Sequence, residues 1–327
     1  MDVPCVRVEQ SEGETTRKRL ADAELLDDEY AITGDEGWLY LPVTDADAVP
    51  GELTVVTYDA PTRHTPTTPA DILGEDLSYE RLGDVAIVDE DEPARAREIA
   101  RAIVDSDLPV EMVVDRASKI QGELRVRDWT VLVGEETETV HREYGHEFAL
   151  DLDTVYFSPR LATERHRVVE QVQPGEHVFD MFAGVGPFAI PAAARGGEVV
   201  AVDLNEAAVE YLRENARRND VTAQLTAVQG DVRDVGERHH DWADRVVMNL
   251  PHSADEFLDT AVAVAGDDCV LHYYDIQHED DRFGPGERAI RAAAEPAYDV
   301  TVEERRTVRS YAPHEYNVCL DVRLTRV

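Results

Sequence analysis

The stretch His177–Leu204, HVFDMFAGVGPFAIPAAARGGEVVAVDL, limits the possible folds of this chain more than any other. An apolar run with Val178 and Phe179 ends in Asp180 and is followed by a Gly184-Val185-Gly186 turn. A helix-like segment from Phe188 to Arg195 comes next, and a second apolar run, Val199 to Val202, closes on Asp203. Strand, glycine turn, helix and strand with a terminal acid form the nucleotide-binding half of a doubly wound α/β sheet. Glycines let the backbone approach a ligand closely, and the start of the helix offers free N–H groups. Asp203 lies 19 residues beyond Gly184, where a carboxylate accepts from both hydroxyls of a ribose. Gly184 to Ala189 also fits the dinucleotide pattern G-x-G-x-x-G/A, so a nicotinamide enzyme is a rival at this point.

Charge is the second constraint. The net charge is −37, and of 32 basic residues only Lys18 and Lys119 are lysines. Such acidity in a chain with few apolar residues reads as disorder, but here 43% of residues are hydrophobic and periodic apolar segments recur. The expected state is a folded protein with a dense carboxylate surface, as in halophilic adaptation. In molar salt the screening length falls to about 3 Å, so self-repulsion is small. Counterion release then contributes little to phosphate binding, and RNA recognition rests on stacking, hydrogen bonds and a few arginines. Net charge therefore does not exclude a nucleic-acid partner.

No apolar run has the length of a membrane span, and the start, MDVPCVRVEQ, lacks the apolar core of a signal peptide. A soluble, cytoplasmic protein is expected. Cys5, Cys269 and Cys319 are too scattered for a zinc or disulfide framework. His239-His240 reads as a solvated loop.

Residues 1–62 read as a small α/β domain, with strands near Val3–Val8, Tyr30–Thr33, Trp38–Val43 and Leu53–Tyr58 and a helix over Glu14–Leu26. Residues 63–70, rich in proline and threonine, read as a linker. A second α/β domain is expected over 71–152, with strands at Val85–Val88, Met112–Val114, Leu124–Val126 and Thr130–Val133 and a helix over Pro93–Val104. Within it, Asp115 to Arg127 is locally basic through Arg116, Lys119, Arg125 and Arg127. Residues 153–327 form the doubly wound domain.

Asp180, Gly184-Val185-Gly186, Asp203 and Asp231 all fall at the carboxyl ends of successive strands, the edge where open α/β sheets bind ligands. Asp203 suits a ribose, and Asp231 with Val232 suits an adenine edge. The fourth strand ends in Asn249-Leu250-Pro251. Proline fixes the loop, and the asparagine presents one acceptor and two donors, a fork that reads a planar nucleobase. A dehydrogenase has no particular use for it, and the pattern tilts towards methyl transfer.

Five longer motifs now carry a resemblance: DTVYFSPRLATERHRVV (Asp153–Val169), FDMFAGVGPF (Phe179–Phe188), ADRVVMNLPHSADEFLD (Ala243–Asp259), LHYYDI (Leu271–Ile276) and VRSYAPHEYNV (Val308–Val318). In this order the chain resembles the archaeal and eukaryotic tRNA (guanine-37-N1)-methyltransferase family. The resemblance implies a class I (Rossmann-like) methyltransferase domain with a mixed, doubly wound sheet, preceded by two small α/β RNA-binding domains. It implies S-adenosyl-L-methionine as cofactor and tRNA as partner, in a chain expected to be monomeric. No Mg²⁺ ligand pattern is readable.

The family's roles map onto Glu164 as general base for the guanine N1 proton, Arg160 to orient it, Arg125 (with Arg127 as alternative) to stabilise O6, and Asn249 to hold the base edge. Arg165, Asp180, Gly184, Gly186, Asp203, Leu204, Asp231, Val232, Asn249 and Pro251 match the cofactor site. Guanine N1 is protonated at neutral pH and is a poor nucleophile until a base takes the proton; a guanidinium then offsets the charge on O6. Ser158 is expected as N-cap with Pro159 first in the helix, which sets Arg160 and Glu164 one turn apart. Tyr156, Phe157, Tyr273, Tyr274, Tyr311 and Tyr316 are stacking candidates, most of them core residues. The rival readings are a wybutosine-pathway aminocarboxypropyl transferase, against which Asn249-Leu250-Pro251 argues, and a non-catalytic tRNA-binding module.

Overall fold

The computed structural model describes residues 2–35, 37–117 and 127–327. The expected strand Leu124–Val126 and Arg125 lie outside them. The chain divides into two compact units, one ending at Thr67 and one starting at Thr68.

The first unit is a four-stranded sheet in the order β2-β3-β1-β4, with β1 Asp2–Glu9, β2 Thr33–Asp35, β3 Trp38–Pro42 and β4 Thr54–Asp59. Alternation along β1 sends Val6 and Val8 to one face, where Leu20 of α1 (Gly13–Asp22) joins Leu41 and Val43. Val3, Cys5 and Ala60 fill the other. The helix is shorter than its apolar pattern suggested. Glu24 adopts φ 55°, and the Leu25 amide donates back to Leu20 O at 2.9 Å. That is a Schellman stop, with Leu25 and Leu26 packing on the core from outside the helix. The expected strand at Tyr30–Thr33 is displaced to Thr33–Asp35.

The second unit opens with α2 (Pro69–Leu73), where the linker was expected to run on to residue 70. A capping box explains the earlier start: Thr68 Oγ1 accepts from Asp71 N at 3.2 Å, and Asp71 Oδ2 accepts from Thr68 N at 2.8 Å. A four-stranded sheet follows, β5 (Glu80–Leu82), β6 (Val85–Val88), β7 (Met112–Arg116) and β8 (Trp129–Val133), with α3 (Pro93–Val104) packed on it. The β6 and α3 bounds are those expected. The hairpin of β9 (Glu138–Glu143) and β10 (His146–Asp151) is not among the strands expected from the sequence. It docks on α6 (Glu206–Arg218) through Asn215, which accepts from Ala149 N at 2.7 Å and donates to Ala149 O and Val185 O.

After a 3₁₀ turn over Pro159–Leu161 and α4 (Ala162–Val169), the chain builds a seven-stranded sheet in the order β13-β12-β11-β14-β15-β17-β16. Its strands are β11 His177–Asp180, β12 Glu198–Asp203, β13 Leu225–Gln229, β14 Ala243–Met248, β15 Ala265–His278, β16 Tyr298–Ala312 and β17 Glu315–Arg326. The first five are parallel, and β17 is antiparallel to both neighbours. The mixed, doubly wound sheet is thus the one expected. α5 (Ala189–Ala194), α7 (Val232–Gly236), α8 (Leu258–Val264) and α9 (Gly284–Ala294) complete it. Strand order reverses between β11 and β14, so the switch point falls at the carboxyl ends of these two strands. Cys5, Cys269 and Cys319 are free and buried. Among the described residues, no helix is long and apolar enough to cross a membrane.

Gly186 holds the turn together by having no side chain. Its φ is 95°, and an added Cβ would meet Leu212 Cδ1 at 2.5 Å and Ile190 Cγ1 at 2.9 Å, both in the core. Gly186→Ala should therefore lose about 2–5 kcal/mol from left-handed strain and overpacking, read as a drop in denaturation midpoint. An unchanged midpoint would contradict this packing.

Candidate active site

Four strands of the large sheet deliver acids or an amide to one edge. Asp203, at the end of β12, has its backbone paired to Gln229 of β13, and its side chain reaches across to the glycine turn. Oδ2 accepts from the Gly184 amide at 2.7 Å and Oδ1 from the Asn205 amide at 2.9 Å. Burial raises its pKa, and these amides offset part of the rise. Above Gly184 (φ 53°) an added Cβ would find only Tyr156 O, at 3.9 Å. The turn thus presents open space beside a fixed carboxylate.

Asp180, at the end of β11, is fully buried, and neither carboxylate oxygen has a hydrogen-bond partner among the described residues. Burial pushes its pKa up to about 7; the Phe182 amide nearby counters this, and the Asp203 charge adds to it. An unsatisfied buried carboxylate next to a second acid is a costly arrangement for the free protein. It suits a cationic ligand, which would supply the missing partner. The S-adenosyl-L-methionine expected from the sequence carries such charges, so the residues present fit it.

Asp231 caps α7, accepting from the Arg233 amide at 2.9 Å, and pairs with the Arg233 side chain at 2.6 Å. Val232 behind it is buried, while Leu204 is exposed. Asn249 follows β14, half-buried, and its side chain makes no hydrogen bond among the described residues. Pro251 O accepts from Ile276 N at 3.1 Å, which fixes the Asn249 loop to β15.

Two expectations for the Ser158–Arg165 segment need correction. Ser158 caps nothing with its side chain, because Pro159–Leu161 forms a 3₁₀ turn and the α-helix starts only at Ala162. Arg160 therefore does not stand one helical turn before Glu164; it pairs with Glu80 of β5, which also binds Arg116. Arg165 is buried against Phe157 and committed to Glu143, at 2.8 and 2.5 Å, and to Ser158 O at 3.1 Å. Its job here is to pin α4 to the β9–β10 hairpin. Arg127 lies half-buried with its guanidinium 5.3 Å from the Trp129 ring centroid.

Glu164, the expected base, is 4% exposed. Arg167 donates to Oε1 at 2.7 Å and to Oε2 at 3.1 Å, the Tyr274 hydroxyl donates to Oε1 at 3.0 Å, and Arg306 Nε stands 2.9 Å from Oε2. Arg167 also bridges to Asp321 at 2.5 and 3.2 Å. Asp321 accepts from His272 Nδ1 at 2.7 Å, and Arg245 donates to His272 Nε2 at 2.6 Å. With one ring nitrogen donating and the other accepting, His272 is neutral, and burial lowers its pKa accordingly. Cys319 completes a close group with His272 and Asp321, but Arg167 and Arg245 already occupy its polar directions. None of this string was visible in the sequence, where Arg167 and Asp321 are 154 residues apart. Its one signal was charged residues at apolar positions, such as Asp321 within VCLDVRL. Removing Arg167 would leave Asp321 buried without a cation and Glu164 with Arg306 alone, a loss of about 3–5 kcal/mol in denaturation free energy.

Of the stacking candidates, Phe157, Tyr273 and Tyr274 are core residues and Tyr311 is exposed. Tyr316 is half-buried beneath Arg282 at 3.7 Å. His239 is not simply solvated, since its ring packs 5.5 Å from Phe179.

Asp180 gives a test by pH. Its pKa rises from 3.8 to about 7 on folding, so the folded protein binds the extra proton and stability falls as pH rises through that window. Asp180→Asn should shift the melting temperature relative to the parent protein more favourably at pH 8 than near pH 4, by about 3 °C or more. An equal shift at both pH values would contradict a strained buried carboxylate.

Comparison with known proteins agrees with this architecture. Residues 139–303 match the TRM5/TYW2 methyltransferase domain, residues 5–49 the tRNA methyltransferase 5 N-terminal domain, and residues 69–137 the TYW2 N-terminal domain. The tRNA (guanine(37)-N(1))-methyltransferase Trm5b of Pyrococcus abyssi is 39% identical over 98% of this chain and 98% of its own. A tRNA(Phe) (4-demethylwyosine(37)-C(7)) aminocarboxypropyltransferase of Methanocaldococcus jannaschii is 33% identical over 77% of this chain and 99% of its own. Among solved structures, wild-type Trm5b from Pyrococcus abyssi superposes with TM-score 0.71 at 38% identity, covering 99% of each chain. The chain of a complex of aTrm5 with tRNALeu superposes with TM-score 0.70 at 32% identity, covering 98% of this chain and 99% of its own. By sequence, domain content and fold, this chain belongs to the TRM5/TYW2 methyltransferase family.

Proposed function

We propose that this chain is an S-adenosyl-L-methionine-dependent tRNA (guanine(37)-N1)-methyltransferase. The observation that carries the reading is coverage: the Trm5b relative aligns along 98% of the chain, whereas the aminocarboxypropyl transferase aligns along 77%. The match of residues 5–49 to the tRNA methyltransferase 5 N-terminal domain points the same way. Residues 1–62 would read tRNA shape, 71–152 would approach the base, and 153–327 would carry the chemistry. The acidic, lysine-poor composition supports adaptation to high salt, and the tRNA methyltransferase relatives support a cytoplasmic location.

S-adenosyl-L-methionine supplies an electrophilic methyl group on a cationic sulfonium. Asp203 and the open turn at Gly184 hold its ribose, Asp231 and Val232 border the adenine, and Asp180 offers the buried countercharge. Asn249, fixed by the loop at Pro251, takes the edge of the target guanine. Glu164 removes the N1 proton, which turns the ring nitrogen into a nucleophile. Arg125 or Arg127 offsets charge on O6. Arg160, which orients the base in the family, would first have to leave its ion pair with Glu80.

Two measurements test this. The mass of the modified nucleoside should be that of a methyl adduct; an aminocarboxypropyl adduct would move the chain to the sister activity. Glu164→Gln should lower single-turnover methyl transfer by about 10²–10⁴-fold and leave the calorimetric Kd for S-adenosyl-L-methionine unchanged. Equal loss of rate and cofactor affinity would remove Glu164 from the role of base.

A further inference from the structure

Glu164 is surrounded by donors in this structure. A carboxylate offers about four acceptor positions, and here three hydrogen bonds and an ion pair converge on the two oxygens. Three positions are filled by hydrogen bonds, and the fourth faces the Arg306 guanidinium, an ion pair without a hydrogen bond, which bars a nucleobase proton from it. One donor must leave before the reaction, and the three candidates are not equivalent.

Tyr274 is fully buried in the core and cannot withdraw. Arg167 is braced from behind. Asp321 grips both of its terminal nitrogens, and Glu304 takes one at 3.1 Å. Asp321 is in turn held by His272, with Arg245 and Glu176 behind it. Arg306 differs on every count. It sits on β16, the last strand at that side of the sheet, its side chain is 39% exposed, and it meets Glu164 in an ion pair at Nε without a hydrogen bond. Its other carboxylate, Glu304, is at 3.3 Å and 44% exposed, and is already shared with Arg167.

We propose that Arg167 is a fixed clamp that orients Glu164 and that Arg306 is a releasable latch on Glu164 Oε2, drawn off when RNA binds. The proposal rests on Glu164 being the base for guanine N1. Arg306 is a positioning residue: it governs when the lone pair is open and takes no part in bond making. RNA has the chemistry to draw it away, because a guanidinium at a half-exposed strand edge pairs well with a phosphodiester oxygen. The charged and titratable groups around Glu164 are Arg167 on its own helix, Tyr274 on β15, Glu304 and Arg306 on β16, and Cys319 and Asp321 on β17.

The latch separates two pH profiles. The pH dependence of kcat/KM for tRNA reports the free enzyme, and that of kcat reports the bound complex. Removing a cation beside a carboxylate raises its pKa. Arg306→Met in the full chain should therefore move the acid limb of kcat/KM to higher pH while the acid limb of kcat stays in place. Arg306→Lys, which keeps the charge, should leave the kcat/KM limb near its original position and controls for folding. If both limbs move together in Arg306→Met, Arg306 stays on Glu164 during the reaction and the latch is overturned. If neither moves, Arg306 does not hold Glu164 in solution, and the latch is overturned as well. Failure of the base assignment looks different: Glu164→Gln would then transfer methyl at the parent rate, whatever Arg306 does.

Discussion

Arg167 ties the helix that carries Glu164 to the last strand of the chain. Its guanidinium spans the buried carboxylates of Glu164 on α4 and Asp321 on β17, so the segment entering the large sheet and the segment leaving it share one half-buried cation. A buried charge without partners costs several kcal/mol, which makes the pairing obligatory. Once Arg167 is fixed, the rest of the string follows. Asp321 needs a donor and takes His272, and His272 needs a donor on its other nitrogen and takes Arg245. The polar string threads between β14, β15 and β17 and sets the position of Glu164, the carboxylate proposed as base.

The cofactor edge works on the opposite principle. Asp203 is satisfied by the Gly184 and Asn205 amides, yet Asp180 is left buried with no hydrogen-bond partner among the described residues. Strain of this kind persists only where the surrounding packing enforces it, and Phe179, Met181 and Val247 around the end of β11 are all buried. The free protein carries an uncompensated acid that a cationic ligand completes. One side of the site thus holds a carboxylate crowded with donors, and the other a carboxylate with none among the described residues.

What the sequence made legible follows from the range of the interactions. The βαβ core from His177 to Asp203 was readable because apolar periodicity, glycine spacing and a terminal acid are local signals. Helix Pro93–Val104 and strand Val85–Val88 have their expected bounds for the same reason. The β9–β10 hairpin was missed because its turn is Tyr144-Gly145, with Tyr144 at φ 46° in place of the usual asparagine or aspartate, and because Asn215 docks it from 66 residues away. Arg160 and Glu164 were misplaced by a three-residue 3₁₀ turn, which shifts helical phase without changing the sequence pattern. The Arg167–Asp321 bridge depends on sheet register, which no local pattern encodes.

This scaffold delivers a methyl group to one ring nitrogen of one guanosine in tRNA. The sharpest test is transfer from labelled S-adenosyl-L-methionine to tRNA transcripts that differ only in G or A at position 37, in molar KCl, followed by primer extension. Label in the G37 transcript alone, with a primer-extension stop at that nucleotide, is the expected result. Binding of both transcripts with no label in either, or equal label in both, would contradict this mechanism.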